Sequence, residues 1–111
     1  MAAGEKKIMD EVALAWSERG LGRLFRANVG VYQTRDGRMI RIGVPGFSDL
    51  HGFTMLDGNP VATYFEVKTG RLTATHQQIA FLNSMKEHGC LAGVIRSLAD
   101  ALELKNLWGG R

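Results

Sequence analysis

Asp49, Glu66 and Lys68 are the residues whose types and spacing point most directly to chemistry. Glu66 and Lys68 are two apart, so in an extended segment their side chains share one face while Val67 points to the other. If the segment carrying Asp49 is the antiparallel neighbour, joined through the Asp57-Gly58-Asn59-Pro60 turn, Asp49 stands across from Glu66. Two carboxylates and an ammonium then converge. Acids this close repel unless something neutralises them. A divalent cation does so, and hard oxygen ligands with room for water and phosphate suit Mg²⁺ or Mn²⁺. Phosphodiester hydrolysis needs such a cation to polarise the phosphate, stabilise developing charge and make hydroxide available near neutral pH. Lys68 is placed to position or deprotonate the water, or to stabilise that charge.

A lone D…ExK triplet arises by chance in many chains, and charged strand residues are mostly cross-strand pairs on solvated faces. Its context raises its value: Pro45-Gly46-Phe47-Ser48 before Asp49, an apolar run before Glu66, and Glu5 on the first helix. Glu5 projects onto the inward stripe of that helix, where it can bind a second metal or anchor a water ligand. Gln78, early in the helix after the motif strand, has an amide able to orient a water or hold Lys68; a surface or capping role is the plain alternative. His51 shares the face of Asp49 and either modulates the site or packs as an ordinary ring. His76 and His88 stand at the two ends of one helix and match no zinc spacing. Cys90, the sole cysteine, sits in an apolar stretch and reads as a buried spectator. The chain has no phosphate-cradling glycine loop with Lys-Ser/Thr and no G-x-S-x-G elbow, which disfavours nucleotide hydrolysis and serine-hydrolase chemistry.

The elements that must position these residues are legible from periodicity. Glu5 to Arg19 reads as a helix with Ile8, Val12, Ala15 and Trp16 on one stripe and Met9 at its edge, ended by Gly20 and Gly22. Arg23 to about Tyr32 is strand-like. Thr34 to Arg38 is a hairpin turn built on Asp36-Gly37, with Met39 to Val44 returning. Val61 to Lys68, β-branched and aromatic, is the strongest strand. A helix follows from the Leu72–Thr75 cap region to His88, with Ile79, Leu82 and Met85 as its apolar face and Phe81 beside them. Leu91 to Ile95 reads as a buried strand, Ser97 caps a helix from Leu98 to Leu107, and Trp108 to Arg111 reads as a tail. The pattern predicts an α/β domain over residues 1–111, a mixed sheet with a helix packed on each face.

The chain has 111 residues, 45% hydrophobic and 23% charged, as in ordinary globular proteins. Met1 to Asp10 lacks the apolar stretch of a signal peptide and no run is long enough to span a bilayer, so a cytoplasmic protein with no membrane partner is expected. The net charge of +3 fits a nucleic-acid partner, and Arg23, Arg26, Arg35, Arg38 and Arg41 cluster in one short stretch.

With these residues in place the chain resembles the VRR-NUC (virus-type replication-repair nuclease) branch of the PD-(D/E)xK superfamily. The likeness runs from Glu5 to about Leu104. It rests on Glu5 with Ile8, on Phe25-Arg26-Ala27-Asn28-Val29-Gly30 and on Gly43-Val44-Pro45-Gly46-Phe47-Ser48-Asp49-Leu50. Phe65-Glu66-Val67-Lys68-Thr69-Gly70, Thr75 to Phe81 with Gln78, and Gly89 to Asp100 with Gly93-Val94-Ile95-Arg96-Ser97 complete it. The resemblance implies a restriction-endonuclease-like αβββαβ core, dependence on Mg²⁺ or Mn²⁺, and catalytic residues Glu5, Asp49, Glu66, Lys68 and Gln78. It implies metal contacts from Asp49, Glu66 and the Val67 backbone carbonyl. Stand-alone relatives are typical of phages and prophages, hence a bacterial host cytoplasm, and resemble Holliday-junction resolvases. Two departures stand out: Thr75-His76-Gln77 replaces an expected Ser-Pro pair, and His51 occupies a usually apolar position.

For DNA contact, Lys6, Lys7, Arg26, Arg35, Arg38, Arg41 and Arg71 are the phosphate-binding candidates. No recognition helix is evident, so branched or structured DNA is the expected substrate. A homodimer would deliver the two cuts a two-fold junction needs, and no nucleotide cofactor is expected. The competing readings are a catalytically silent DNA-binding or assembly module with this fold, and a sequence-specific restriction-type nuclease.

Overall fold

The computed structural model describes residues 3–27, 30–44 and 46–109. Asn28, Val29, Pro45 and the end of the expected tail, Gly110-Arg111, lie outside them, as do the side chains of Val31, Tyr32 and Arg41. The chain forms an α/β fold with three helices and a mixed four-stranded sheet. In order the elements are α1 (Ala3–Glu18), β1 (Gly22–Arg26), β2 (Gly30–Gln33), β3 (Met39–Ile42), β4 (Leu50–Leu56), β5 (Asn59–Val67), α2 (His76–Glu87), β6 (Leu91–Ile95) and α3 (Leu98–Leu107). The main sheet runs β1-β4-β5-β6; β2 and β3 pair only with each other. β1, β4 and β5 are antiparallel neighbours and β6 lies parallel to β5. Among the described residues no helix is long and apolar enough to cross a membrane.

α1 buries Met9, Val12, Ala15 and Trp16, a stripe at helical spacing. The Trp16 ring meets Phe65 edge-on at 5.5 Å, and its indole N–H donates to the Thr54 hydroxyl at 2.9 Å. Thr54 and Thr63 share a further hydrogen bond of 2.6 Å, so the buried polar groups under the sheet are partnered. The helix ends where Leu21 N–H donates to the Trp16 carbonyl at 2.9 Å and Gly20 N–H to Ser17 at 3.2 Å, the reciprocal closure typical of a glycine-terminated helix. α3 lies on the same face of the sheet. Gly93 allows this approach, since a Cβ there would stand 2.7 Å from the Leu104 side chain. α2 covers the opposite face, where Phe81 meets Tyr64 edge-on at 5.3 Å.

Three expectations are corrected. The strand read from Arg23 to Tyr32 is two strands in different sheets: β1 pairs with β4 only as far as Arg26↔Leu50, after which a last bond joins Ala27 N–H to the Asp49 carbonyl at 2.8 Å. Among the described residues no pairing of β1 with β4 follows that bond, and β2 pairs with β3 across the Thr34–Arg38 turn. Ile79 is not on the inward face of α2 but 41% exposed; Leu82 is buried as expected, and Gln78 and Phe81 turn inward with it. Trp108 is no free tail, because its indole N–H donates to the Gly89 carbonyl at 3.1 Å and the ring packs on the core.

Candidate active site

The Asp57-Gly58 turn, with φ of 53° and 80°, reverses the chain tightly between β4 and β5. It sets Leu50 opposite Phe65, so the next residues outward, Asp49 and Glu66, face each other at the end of the two strands. The pair interlocks through backbone and side chain. Asp49 N–H donates to Glu66 Oε1 at 3.2 Å, and Val67 N–H donates to Asp49 Oδ2 at 2.9 Å. Asp49 is reached through a loop that leans on α2. Gly46 adopts φ +81° with its α-carbon against the start of α2; a Cβ there would lie 2.8 Å from the Gln77 carbonyl oxygen. Glycine satisfies both constraints and a larger residue neither.

Glu66 is 2% exposed yet has partners on several sides. Lys68 Nζ stands 3.4 Å from Oε2, and Gln78 Nε2 donates to the same oxygen at 2.9 Å. Gln78 is held in turn by the start of α2: its Oε1 accepts from Thr75 N–H at 2.9 Å, and Thr75 Oγ1 accepts from Gln78 N–H at 3.2 Å. This reciprocal cap makes one amide both a helix terminus and a support for the acid. Of the roles open to Gln78, the capping one is present, and the amide that could hold Lys68 holds Glu66 instead. Burial, and then the charge of Asp49 and a hydrogen bond with it, push the Glu66 carboxyl from its ordinary 4.5 up to about 8, with Lys68 pulling the other way. Near neutral pH a proton therefore remains on Glu66.

The structure brings Asp49, Glu66, Lys68 and Gln78 together. Glu5 is partly exposed in the first turn of α1, and no hydrogen bond or ion pair engages it among the described residues. Although it projects onto the inward stripe, this carboxylate therefore meets no burial penalty, and a helix N-terminus favours its charge. The start of α1 does lie beside the site: a Cβ on Gly4 would be 3.4 Å from Thr69 Cγ2. His51 shares the face of Asp49 and contacts the Phe47 and Phe25 rings at 5.4 and 6.2 Å. Among the basic candidates, Lys6 is bonded to Asp10 at 2.8 Å and Arg38 to Asp36 at 3.0 Å, both exposed pairs. Lys7, Arg26, Arg35 and Arg71 are exposed; the side chain of Arg41 is outside the described set.

Arg96 carries a role that the sequence did not reveal. Its guanidinium donates to the carbonyls of Gly70 and Leu72 at 3.0 and 2.6 Å, clamping the loop that leads from Lys68 to α2. Its N–H donates to Asp100 at 2.8 Å. The only hint was its place between a buried strand and the Ser97 cap.

The donor set suits a hard divalent cation: two carboxyl groups face each other at the ends of β4 and β5, next to the Val67 backbone, and a cation there would offset the burial and the Asp49 charge that hold a proton on Glu66. Among the described residues no group of three or more His, Cys, Asp or Glu side chains could hold a metal. A cation here would thus take two carboxylates and complete its shell with carbonyl, water or phosphate. A separate cavity of about 580 Å³, lined in part by Lys86, Cys90, Leu104 and Trp108, lies at the β6 edge away from these acids. No protein-family model matches the chain, and no curated protein matches it.

Proposed function

We propose that this chain is a metal-dependent, structure-selective DNA endonuclease with a PD-(D/E)xK active site, of the VRR-NUC kind its motifs resemble. The observation that carries this reading is the facing pair Asp49 and Glu66, linked through 3.2 and 2.9 Å bonds, with Lys68 3.4 Å from Glu66. The order of the main elements supports it. With the β2–β3 hairpin set aside, α1, β1, β4, β5, α2 and β6 follow the αβββαβ sequence of a restriction-endonuclease-like core.

Asp49, Glu66 and the Val67 carbonyl would hold Mg²⁺ or Mn²⁺, which when bound supplies positive charge to the scissile phosphate and acidity to water. Glu66 must lose its proton to serve as a ligand, and Gln78 keeps its carboxylate in one orientation meanwhile. Lys68 then offers its ammonium to the negative charge on the phosphoryl oxygens as water attacks phosphorus and the bond to the leaving sugar oxygen breaks. Glu5 stands at the same end of the sheet to anchor a water ligand or a second cation. Lys6, Lys7, Arg26, Arg35, Arg38, Arg41 and Arg71 contribute phosphate contacts, which orient DNA without reading sequence. A homodimer would supply paired cuts on a two-fold junction, in the manner of a resolvase acting in a bacterial cytoplasm.

The test is incubation of the protein with labelled four-way junction, flap, duplex and single-stranded DNA under Mg²⁺, Mn²⁺ or EDTA. Cutting of branched substrates that EDTA abolishes is expected. DNA binding with no cutting under any metal would replace this reading with that of a silent binding module.

A further inference from the structure

The face of the sheet that carries Asp49 and Glu66 is covered by α2 only over β5 and β6. On β1 and β4 Phe47 of the preceding loop packs on His51, but among the described residues Phe25 stays 55%, Met55 41% and Phe53 36% exposed. Aromatic side chains left in water on a sheet face mark a contact surface. We infer that this open half-sheet is a stacking platform for unpaired DNA bases, with Phe25 and Phe53 as its rings and Arg23 as its phosphate contact.

The register places the platform. Phe25 pairs with His51 and His51 with Tyr64, forming the row of side chains next to the Asp49–Glu66 row. Arg23 pairs with Phe53 in the row after that. Successive rows on one face are two residues apart, roughly 7 Å along the strands. Bases stacked on Phe25 and Phe53 would therefore belong to nucleotides close to a phosphate held at the acid pair. The platform is braced: Phe25 contacts His51, His51 contacts Phe47, and Phe47 contacts Phe81 of α2 at 5.1 Å. A rigid ring loses little entropy when a base settles on it.

Charge decides between bases and a second copy of the chain. Arg23 makes no ion pair among the described residues, and the rows of Phe25 and Phe53 contain no acidic side chain. A two-fold contact through this face would bury two such arginines together. Single-stranded nucleic acid instead presents flat rings to the aromatics and phosphates to the arginine. The inference rests on the nuclease reading for the position of the scissile phosphate, and it narrows the substrate to DNA with unpaired nucleotides beside the cut, such as a flap or an opened branch.

The experiment measures binding in EDTA, where cutting plays no part. Single-stranded and duplex oligonucleotides of equal length, each carrying 2-aminopurine, are titrated with wild type, Phe25→Ala, Phe53→Ala and Phe25→Trp. Both phenylalanines are exposed, so folding is retained. Wild type is expected to prefer the single strand and to quench its fluorescence; each alanine weakens that binding about tenfold while duplex binding holds, and Phe25→Trp restores it. Three results would overturn the inference: no preference for the single strand, alanine variants that bind it like wild type, or alanine variants whose only change is loss of a dimer in light scattering. A protein that stacks bases through Phe25 but never cuts would defeat the nuclease reading and leave the platform standing.

Discussion

Gln78 and Glu66, twelve residues apart, are joined by a 2.9 Å hydrogen bond from the amide Nε2 of one to the carboxyl Oε2 of the other. The opposite end of that amide closes the cap of α2 on Thr75. Helix stability and acid orientation therefore depend on the same side chain. The acid it supports is buried, faces Asp49, and is tied to Lys68.

Gln78→Ala removes both bonds at once. It is expected to lower the unfolding free energy by about 1–2 kcal/mol, measured by urea denaturation, because a cap and a buried acid each lose a partner. Gln78→Glu keeps an acceptor for Thr75 N–H but sets a third carboxylate against Glu66. Its stability loss should be smaller and its cleavage defect at least tenfold.

The raised Glu66 carboxyl makes stability depend on pH. Its folded value, about 8, exceeds its ordinary 4.5, so the folded state holds a proton that the unfolded chain releases. The resulting stabilisation is complete below about 4.5 and disappears as pH climbs through about 8. In EDTA, the melting temperature of wild type should fall across this window relative to that of Glu66→Gln. Mn²⁺ affinity, followed by calorimetry, should rise over the same window because the proton and the cation compete for one carboxylate. A melting difference between the two proteins that does not change with pH would refute the assignment.

Arg96→Ala releases the carbonyls of Gly70 and Leu72, so the loop between Lys68 and the α2 cap loses its clamp. The expected cost is about 1–2 kcal/mol, with faster amide exchange confined to residues 69–75. Unchanged exchange there would show that the loop holds itself.

Local rules carried much of this arrangement. The period of two put Glu66 and Lys68 on one face, Asp57-Gly58 fixed the turn, and the apolar run 91–95 and Ser97 marked β6 and the start of α3 with their observed bounds. What depended on partners did not show. That β1 pairs with β4 while β2 pairs with β3 is a fact of register that composition does not encode. On α2 the apolar count places Leu82 correctly but not Ile79, because the first inward turn lies over a polar site and Gln78 takes that position. Periodicity sets Glu5 on the inward stripe but ignores that a helix's first turn projects past the core. Arg96 was passed over because backbone carbonyls as partners leave no mark in a sequence.

The most direct test compares wild type, Asp49→Ala and Lys68→Ala on labelled branched DNA with Mn²⁺ under single-turnover conditions. Both variants should cleave about 100-fold more slowly or worse while still binding the DNA. Cleavage by all three at equal rates would contradict the account, because the reacting phosphate would then lie somewhere other than these side chains.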